Sequence, residues 1–471
     1  MPQIQLVQGA YAARSVIANA QRCINLYPEL NTKDAEVPYT HYCTPGLVTL
    51  CQPTIAEVRQ LYTASNQKLF AVIGNGVYYL DDSFTATLLG TINTYYGLVS
   101  LYDNKFTLIV LDGSTTGWSV DLDTLAFTGF NPTNFVGGNQ VRYIDSFLVS
   151  STQNANIQSS DSNATTYTAL ATATMTGDAD QLQIIDVVHK EIWSFGRRTT
   201  EVWSNVGGFP FPFAPIPGVF LQHGIAALRS LAKWGLNIFF LSQDNNGEAL
   251  VMMGTAYKAD IISTPAISDA IGAYEVISDA IGFTYQQGSH IFYVLTFPQA
   301  DKTWVYDLST QLWHERAWLD DNGQLRRHRA NCVAYAYGKT ICGDWQNGKI
   351  YNWDLHAYTD DGAAIKRLRS FPHIISSLDR ISYKQFIADI EVGTIDDPSA
   401  EPVLNLRWSD DRGVSFGNGI QQSLGQTGKY KTIPSWNRLG FARDRVFELS
   451  WSAPSATALN GAYIDVEKME T

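Results

Sequence analysis

The chain is organised by short apolar runs separated by tight polar turns. Leu69-Phe70-Ala71-Val72-Ile73 leads into Gly74-Asn75-Gly76 and then Val77-Tyr78-Tyr79-Leu80. An Asn-Gly pair between two apolar runs predicts a β-hairpin. The pattern returns at Phe106–Val110, where Asp112-Gly113 precedes Trp118–Asp121. It returns again at Ser146–Val149 and at Glu191–Gly196, which is followed by Thr200–Trp203. Later copies begin near Asn237, His290 and Asn331. The copies recur at intervals of roughly 40 to 50 residues, the span of one four-stranded propeller blade. A lone blade cannot bury both faces of its sheet, whereas a closed ring of blades can. The predicted fold is therefore all-β, with a six- or seven-bladed β-propeller at its centre.

Two departures from the rhythm add domains to this picture. Phe209-Pro210-Phe211-Pro212-Phe213-Ala214-Pro215-Ile216-Pro217-Gly218 is too rich in proline for a central strand and reads as an extended loop packed by its phenylalanines. Short helices are expected within Ile225–Trp234 and Ile267–Ile281, so a partly helical segment is predicted as an insertion at about 205–282. After about residue 380, longer alternating runs appear at Phe386–Val392, Val403–Trp408 and Ala462–Val466. They predict a β-sandwich-like domain over 381–471, with a polar loop at Gly393–Pro402. The propeller is assigned to 55–380, and residues 1–54 form an N-terminal segment available to close it.

Composition supports a large β core. Hydrophobic residues make up 45% and aromatic residues 12%, against 17% charged. The net charge of −12 argues against a protein whose main work is gripping nucleic acid, since phosphate binding needs a basic footprint. It is compatible with a wall that repels DNA sliding past. Five cysteines, Cys23, Cys43, Cys51, Cys332 and Cys342, are too few and too scattered for a disulfide framework or a zinc site. No cofactor is expected. Neither a signal peptide nor an apolar run long enough to span a bilayer is apparent.

The sharpest local motif is Ser409-Asp410-Asp411-Arg412-Gly413-Val414-Ser415-Phe416. It fits an Asp-box, Ser-x-Asp-x-Gly-x-Ser-Phe. Asp411 is placed to accept backbone N–H groups in a hairpin turn that Ser409 and Ser415 flank. Gly413 permits a positive φ, and Phe416 packs beneath the turn. Such boxes resemble those of sialidases and other glycan-active propellers, so a glycan-binding or glycan-cleaving propeller is the alternative reading. A glycosidase needs paired carboxylates or a Tyr–Glu pair with arginines in one pocket. Asp301, Glu315 and Asp344 are candidates, but nothing in their spacing pairs them. The histidines at 189, 223, 290, 314 and 328 are scattered. Two basic knots, Arg326-Arg327-His328-Arg329 and Lys366-Arg367-Leu368-Arg369, are candidate contacts for DNA phosphate or an acidic partner. Arg326, Arg327 and Arg329 carry the first, and Lys366, Arg367 and Arg369 the second. The plainer reading is a pair of solvated strand edges.

Signatures along most of the chain carry a family resemblance. They include Arg22-Cys23-Ile24-Asn25-Leu26-Tyr27-Pro28-Glu29, Thr44-Pro45-Gly46-Leu47 and Arg198-Thr199-Thr200-Glu201-Val202-Trp203. Further on come Thr303-Trp304-Val305-Tyr306-Asp307, Leu312-Trp313-His314-Glu315-Arg316, Trp436-Asn437-Arg438-Leu439-Gly440 and Arg443-Asp444-Arg445-Val446-Phe447-Glu448-Leu449. The chain resembles the packaged-DNA stabilisation proteins of short-tailed bacteriophages, also called tail hub or head-completion proteins. The resemblance implies a non-enzymatic virion component, a homo-oligomeric ring expected to be a hexamer. That ring would lie beneath the portal and adaptor, assembled in the host bacterial cytoplasm. It would extend the channel for packaged double-stranded DNA and carry a tail needle and tailspikes or tail fibres. It carries over no catalytic residue and no defined contact residue.

Overall fold

The computed structural model describes residues 4–5, 15, 19–32, 37–244, 246–391, 402–426 and 428–469. Among them, seven four-stranded antiparallel units form the propeller. Blade 1 comprises Val58–Thr63, Leu69–Ile73, Gly76–Leu80 and Ala86–Thr91. Blade 2 runs from Ser100–Asp103 to Phe127–Phe130, and blade 3 from Gln140–Ile144 to Thr172–Ala173. Blade 4 runs from Ile184–Val188 to Phe213–Leu221, blade 5 from Ala232–Trp234 to Lys258–Ile261, and blade 6 from Ile281–Gln287 to Leu312–Glu315. Blade 7 takes three strands from Ala330–Ala336, Lys339–Asp344 and Ile350–Asp354. Its fourth is Gly46–Cys51, antiparallel to Ile350–Asp354. The ring is therefore closed by a strand from the chain's early part.

Strand-terminal aspartates explain the sharp turns. Asp307 accepts the Ser309 N–H at 2.9 Å and the Thr310 hydroxyl at 2.9 Å. Asp81, Asp121 and Asp244 accept N–H groups from two to four residues on in blades 1, 2 and 5. Each side chain substitutes for a backbone acceptor where the ladder ends. The apolar runs between them fill the clefts between blades. Phe70, Val72 and Val77 of blade 1, for example, pack with Leu101, Leu108 and Val110 of blade 2.

The segment at about 205–282 differs from the predicted insertion. It carries its helix at Pro265–Gly272 and a 3-10 turn at Leu228–Ser230, but most of it is the outer strand of blade 4 and all of blade 5. The proline run misled because Phe213–Leu221 is the outermost strand of its sheet. There, Pro215 and Pro217 need not donate to a further neighbour.

The second body is a sandwich. One sheet orders Leu26–Leu30, Tyr39–Cys43, Ala458–Lys468, Ile381–Ile390 and Ser435–Asn437. The other orders Cys23–Ile24, Arg367–Ser370, Asp444–Trp451, Val403–Ser409 and Ile420–Ser423. Their inner faces meet through Leu26, Phe386, Leu406, Trp436, Phe447 and Ile464. A division at residues 54 and 380 thus cuts across this body, because residues 23–43 and 367–375 supply strands to it. The polar loop expected at Gly393–Pro402 lies outside the described residues except for Pro402.

The two bodies share one sheet. Cys23–Ile24 pairs in parallel with the outer strand of blade 6 and antiparallel with Arg367–Ser370. Asn25 locks this seam. Its backbone sits at φ 54°, a left-handed conformation that Asn tolerates. Its Nδ2 donates to the Ala317 and Lys366 carbonyls, both at 2.8 Å. Its Oδ1 accepts the Ala317 N–H at 2.9 Å, and its own N–H donates to the Glu315 carbonyl at 2.9 Å.

Candidate functional site

The first strands of all seven blades line an axial cavity of about 380 Å³. It collects Arg59, Arg142, Arg229, Lys233 and the carboxylate of Asp186, a grouping of the kind that would favour a glycan site. These groups are already bonded to protein partners. Arg59 donates through Nε, Nη1 and Nη2 to the carbonyls of Gly97, Gly74, Thr94 and Tyr96 and to the Thr94 hydroxyl. Burial lowers its pKa to about 10. Arg142 of blade 3 grips Asp186 of blade 4 with two bonds of 2.7 and 3.1 Å. Lys233 of blade 5 reaches the same carboxylate at 3.2 Å. Burial alone would raise the Asp186 pKa, but Arg142 and Lys233 outweigh it and hold the carboxyl well below its ordinary range. Arg229 and Asn331 both bond Glu57, at 3.0 and 2.8 Å. The cavity wall is thus a set of cross-blade ties, and three blades meet at one carboxylate.

The Asp-box turn lies on the sandwich, directly after Val403–Ser409. The Ser409 hydroxyl donates to Asp411 Oδ1 at 2.6 Å, and the Gly413 N–H donates to Ser409 Oγ at 2.7 Å. Ser415 gives Asp411 its N–H at 2.9 Å and its hydroxyl at 2.5 Å. Gly413 has φ 89°. The bonds from Ser409 and Ser415 lower the Asp411 pKa to about 2. Phe416 is half-buried beneath the Arg407 guanidinium, 4.9 Å from its ring centroid. None of its residues lines the axial cavity.

Asp301, Glu315 and Asp344 do not converge. Asp301 bonds Arg326, Glu315 bonds Lys302 at 2.6 Å, and Asp344 bonds Arg329 at 3.0 Å and Tyr351. In the first basic knot, Arg326 is exposed and tied to Asp301 and Asp320. Arg327 stacks on Trp345 at 3.9 Å and Arg329 on Trp318 at 3.7 Å. The second knot is corrected by the fold. Arg367 and Arg369 are fully buried in the seam sheet, so neither can meet DNA or a partner at the surface. Arg367 donates to the Ala453 carbonyl at 2.7 Å and Arg369 to Gln21 Oε1 at 2.8 Å. Lys366 is half-buried.

Sequence reasoning passed over a three-residue contact between the bodies. His290 of blade 6 bonds the buried Asp307 through Nδ1 at 2.7 Å and Glu29 of the sandwich through Nε2 at 3.2 Å. The bond to Asp307 leads in raising the His290 pKa above its ordinary value. Asp307 ends the Thr303-Trp304-Val305-Tyr306-Asp307 signature, but its link through His290 to Glu29 spans the chain and leaves no local signal. Among the described residues, no cluster of His, Cys, Asp and Glu has the makings of a metal site, and no helix is long and apolar enough to cross a membrane.

Residues 2–358 match the family model described as bacteriophage P22 Gp10, β-propeller, of the phage-stabilise group. No curated protein matches. Among solved structures, the WD40 β-propeller domain of Doa1 aligns at 14% identity with a TM-score of 0.42, covering 67% of this chain and 98% of that one.

Proposed function

Because this chain belongs to the bacteriophage P22 Gp10 β-propeller family of phage structural proteins, we propose that it is the subunit of a ring-shaped tail hub. The ring, a hexamer, sits below the portal and adaptor, prolongs the DNA channel, helps retain the packaged genome and carries the tail needle and tailspikes or tail fibres. It acts by shape and stiffness, without chemistry of its own.

The observation that supports this best is the state of the axial cavity. The Arg142–Asp186–Lys233 and Arg229–Glu57 ties occupy it, and its volume suits a small molecule, not a duplex. A DNA path formed by this protein therefore runs between copies, which requires a ring. A cyclic ring needs two different patches on each subunit, and a propeller bound to a sandwich through a shared sheet offers two rigid, dissimilar bodies. The net charge of −12 suits a channel wall that DNA slides past. Mass measurement of the purified protein, alone and with its adaptor ring, tests the reading. A sixfold assembly is expected, and a monomer that persists in every mixture refutes it. The glycan reading is not favoured by any side chain left open in the cavity, since the arginines that would bind a sugar acid are bonded to protein.

A further inference from the structure

The seam between blade 6, blade 7 and the sandwich buries more positive charge than it neutralises. Strand register puts the charges together. Ile24 stands opposite both Glu315 and Leu368, and Cys23 stands opposite Arg369. Side chains alternate along strands, so His314, Cys23, Arg367 and Arg369 project from the other face; His314 meets Phe292 of blade 6, and Cys23 joins the sandwich core. Arg316 follows His314 and donates through Nε to its Nε2 at 3.3 Å. The Arg316 guanidinium is enclosed by Tyr285, Phe292 and Trp353, 4.9 to 5.4 Å from their ring centroids. Trp353, Leu47 and Asp360 form one cross-strand row, which brings Asp360 to the same side.

These groups are sealed from solvent. Arg316, Arg367 and His41 are 0% exposed, His314 1% and Asp360 3%. Several of their polar atoms have no hydrogen-bond partner among the described residues: Nη1 and Nη2 of Arg316, Nε and Nη2 of Arg367, both ring nitrogens of His41, and Nδ1 of His314. Oδ1 of Asp360 is in the same position. Buried polar groups rarely go unmatched, and guanidinium keeps its charge in proteins. Arg329 is matched by Asp344. Burial pushes the Asp360 pKa up to about 7 against the pull of Arg367, Arg329 and Arg316. Burial keeps His41 and His314 neutral, with Arg369 and Arg316 acting in the same sense.

We propose that this seam holds one small inorganic anion of the halide class, bound by the guanidiniums of Arg316 and Arg367 with His314 and His41 as neutral donors beside it. The enclosure favours a small spherical ion over an oxyanion or a protein carboxylate. The ion ties the end of blade 6 to the sandwich sheet, because Arg316 follows one and Arg367 belongs to the other. The inference is independent of the tail-hub reading.

The test uses the full chain. Protein is unfolded and refolded in sodium gluconate, then titrated with sodium bromide at constant ionic strength while its unfolding midpoint is followed. Above the dissociation constant, each tenfold rise in bromide should lower the unfolding equilibrium constant by up to tenfold. Arg367→Met should abolish that dependence. Crystals grown in bromide should show an anomalous peak between Arg316 and Arg367. An ordered water there with no bromide peak overturns the proposal, as does a bromide dependence that persists unchanged in Arg367→Met. If that variant does not fold, the wild-type anomalous map decides alone.

Discussion

Replacing Asn25 by alanine perturbs the seam at its most connected side chain. The change deletes three hydrogen bonds, two buried ones of 2.8 and 2.9 Å to Ala317 and a partly buried one of 2.8 Å to Lys366. Each contributes about 0.5–1.5 kcal/mol net, and the orphaned partners add a desolvation cost on top. Alanine also pays about 1–2 kcal/mol to hold the left-handed conformation at φ 54°. The sum is a loss of about 4 kcal/mol, in the range reserved for broken buried networks. Asn25→Gly separates the two contributions, because glycine adopts positive φ freely. It should recover roughly 1 kcal/mol of the loss and no more. The assay is urea unfolding followed by tryptophan fluorescence, with limited proteolysis in parallel to show whether the sandwich detaches from the propeller. A loss under about 1 kcal/mol for Asn25→Ala would refute the assignment of this residue as the lock between the bodies.

Asp186→Asn removes the charge at which blades 3, 4 and 5 meet and leaves Arg142 unpaired; a loss of about 3 kcal/mol is expected in the same unfolding assay. His290 gives a pH signature: with its folded pKa raised, its contribution is complete below the ordinary histidine value and is lost as pH rises through the folded one. Unfolding midpoints across pH 5–9 (a range set about the histidine value of about 6.5) should fall on the alkaline side, and His290→Gln should flatten that slope. Asp411 has the opposite sign: its bonds from Ser409 and Ser415 persist as pH falls until about 2, so Asp411→Ala should disturb only the local turn in a hydrogen-exchange map. Gly46→Ala would set a Cβ 2.4 Å from the Thr359 carbonyl oxygen; the closing strand should loosen, seen as new protease cleavage near residues 46–51.

The blade hairpins were legible because their signals are local. Gly74-Asn75-Gly76 and Asp112-Gly113 each specify a turn within a few residues, and the apolar runs beside them have strand length. Blade 5 was obscured because its first strand, Ala232–Trp234, is short and follows an outer strand carrying two prolines. The extent of the sandwich was not legible at all. Tyr39–Cys43 pairs with Ala458–Lys468, and no local pattern announces a partner so distant. The second basic knot was misread for a related reason. Lys366-Arg367-Leu368-Arg369 has the alternation of an exposed edge, but its strand is covered on both faces, by Ala317 and Leu325 around Leu368 and by the sandwich interior around the arginines. The Asp-box turn leaves a local signal because its bonds span only seven residues of chain, Ser409 to Ser415.

The strand that completes blade 7 has a consequence for the order of events during synthesis. Gly46–Cys51 leaves the ribosome ahead of every blade, yet its partner Ile350–Asp354 follows it by about 300 residues. At roughly 5–20 residues per second, that strand waits on the order of 15–60 s with its hydrogen-bonding edge unmatched. Blades 1 to 6 can form in succession as they emerge, each on its predecessor, but the ring stays open until the last blade arrives. Closure is therefore a late, long-range step of the kind that slows folding. Until then the waiting edge is exposed to strands from neighbouring nascent chains, so the yield of correctly closed subunits should fall as the density of translating ribosomes rises.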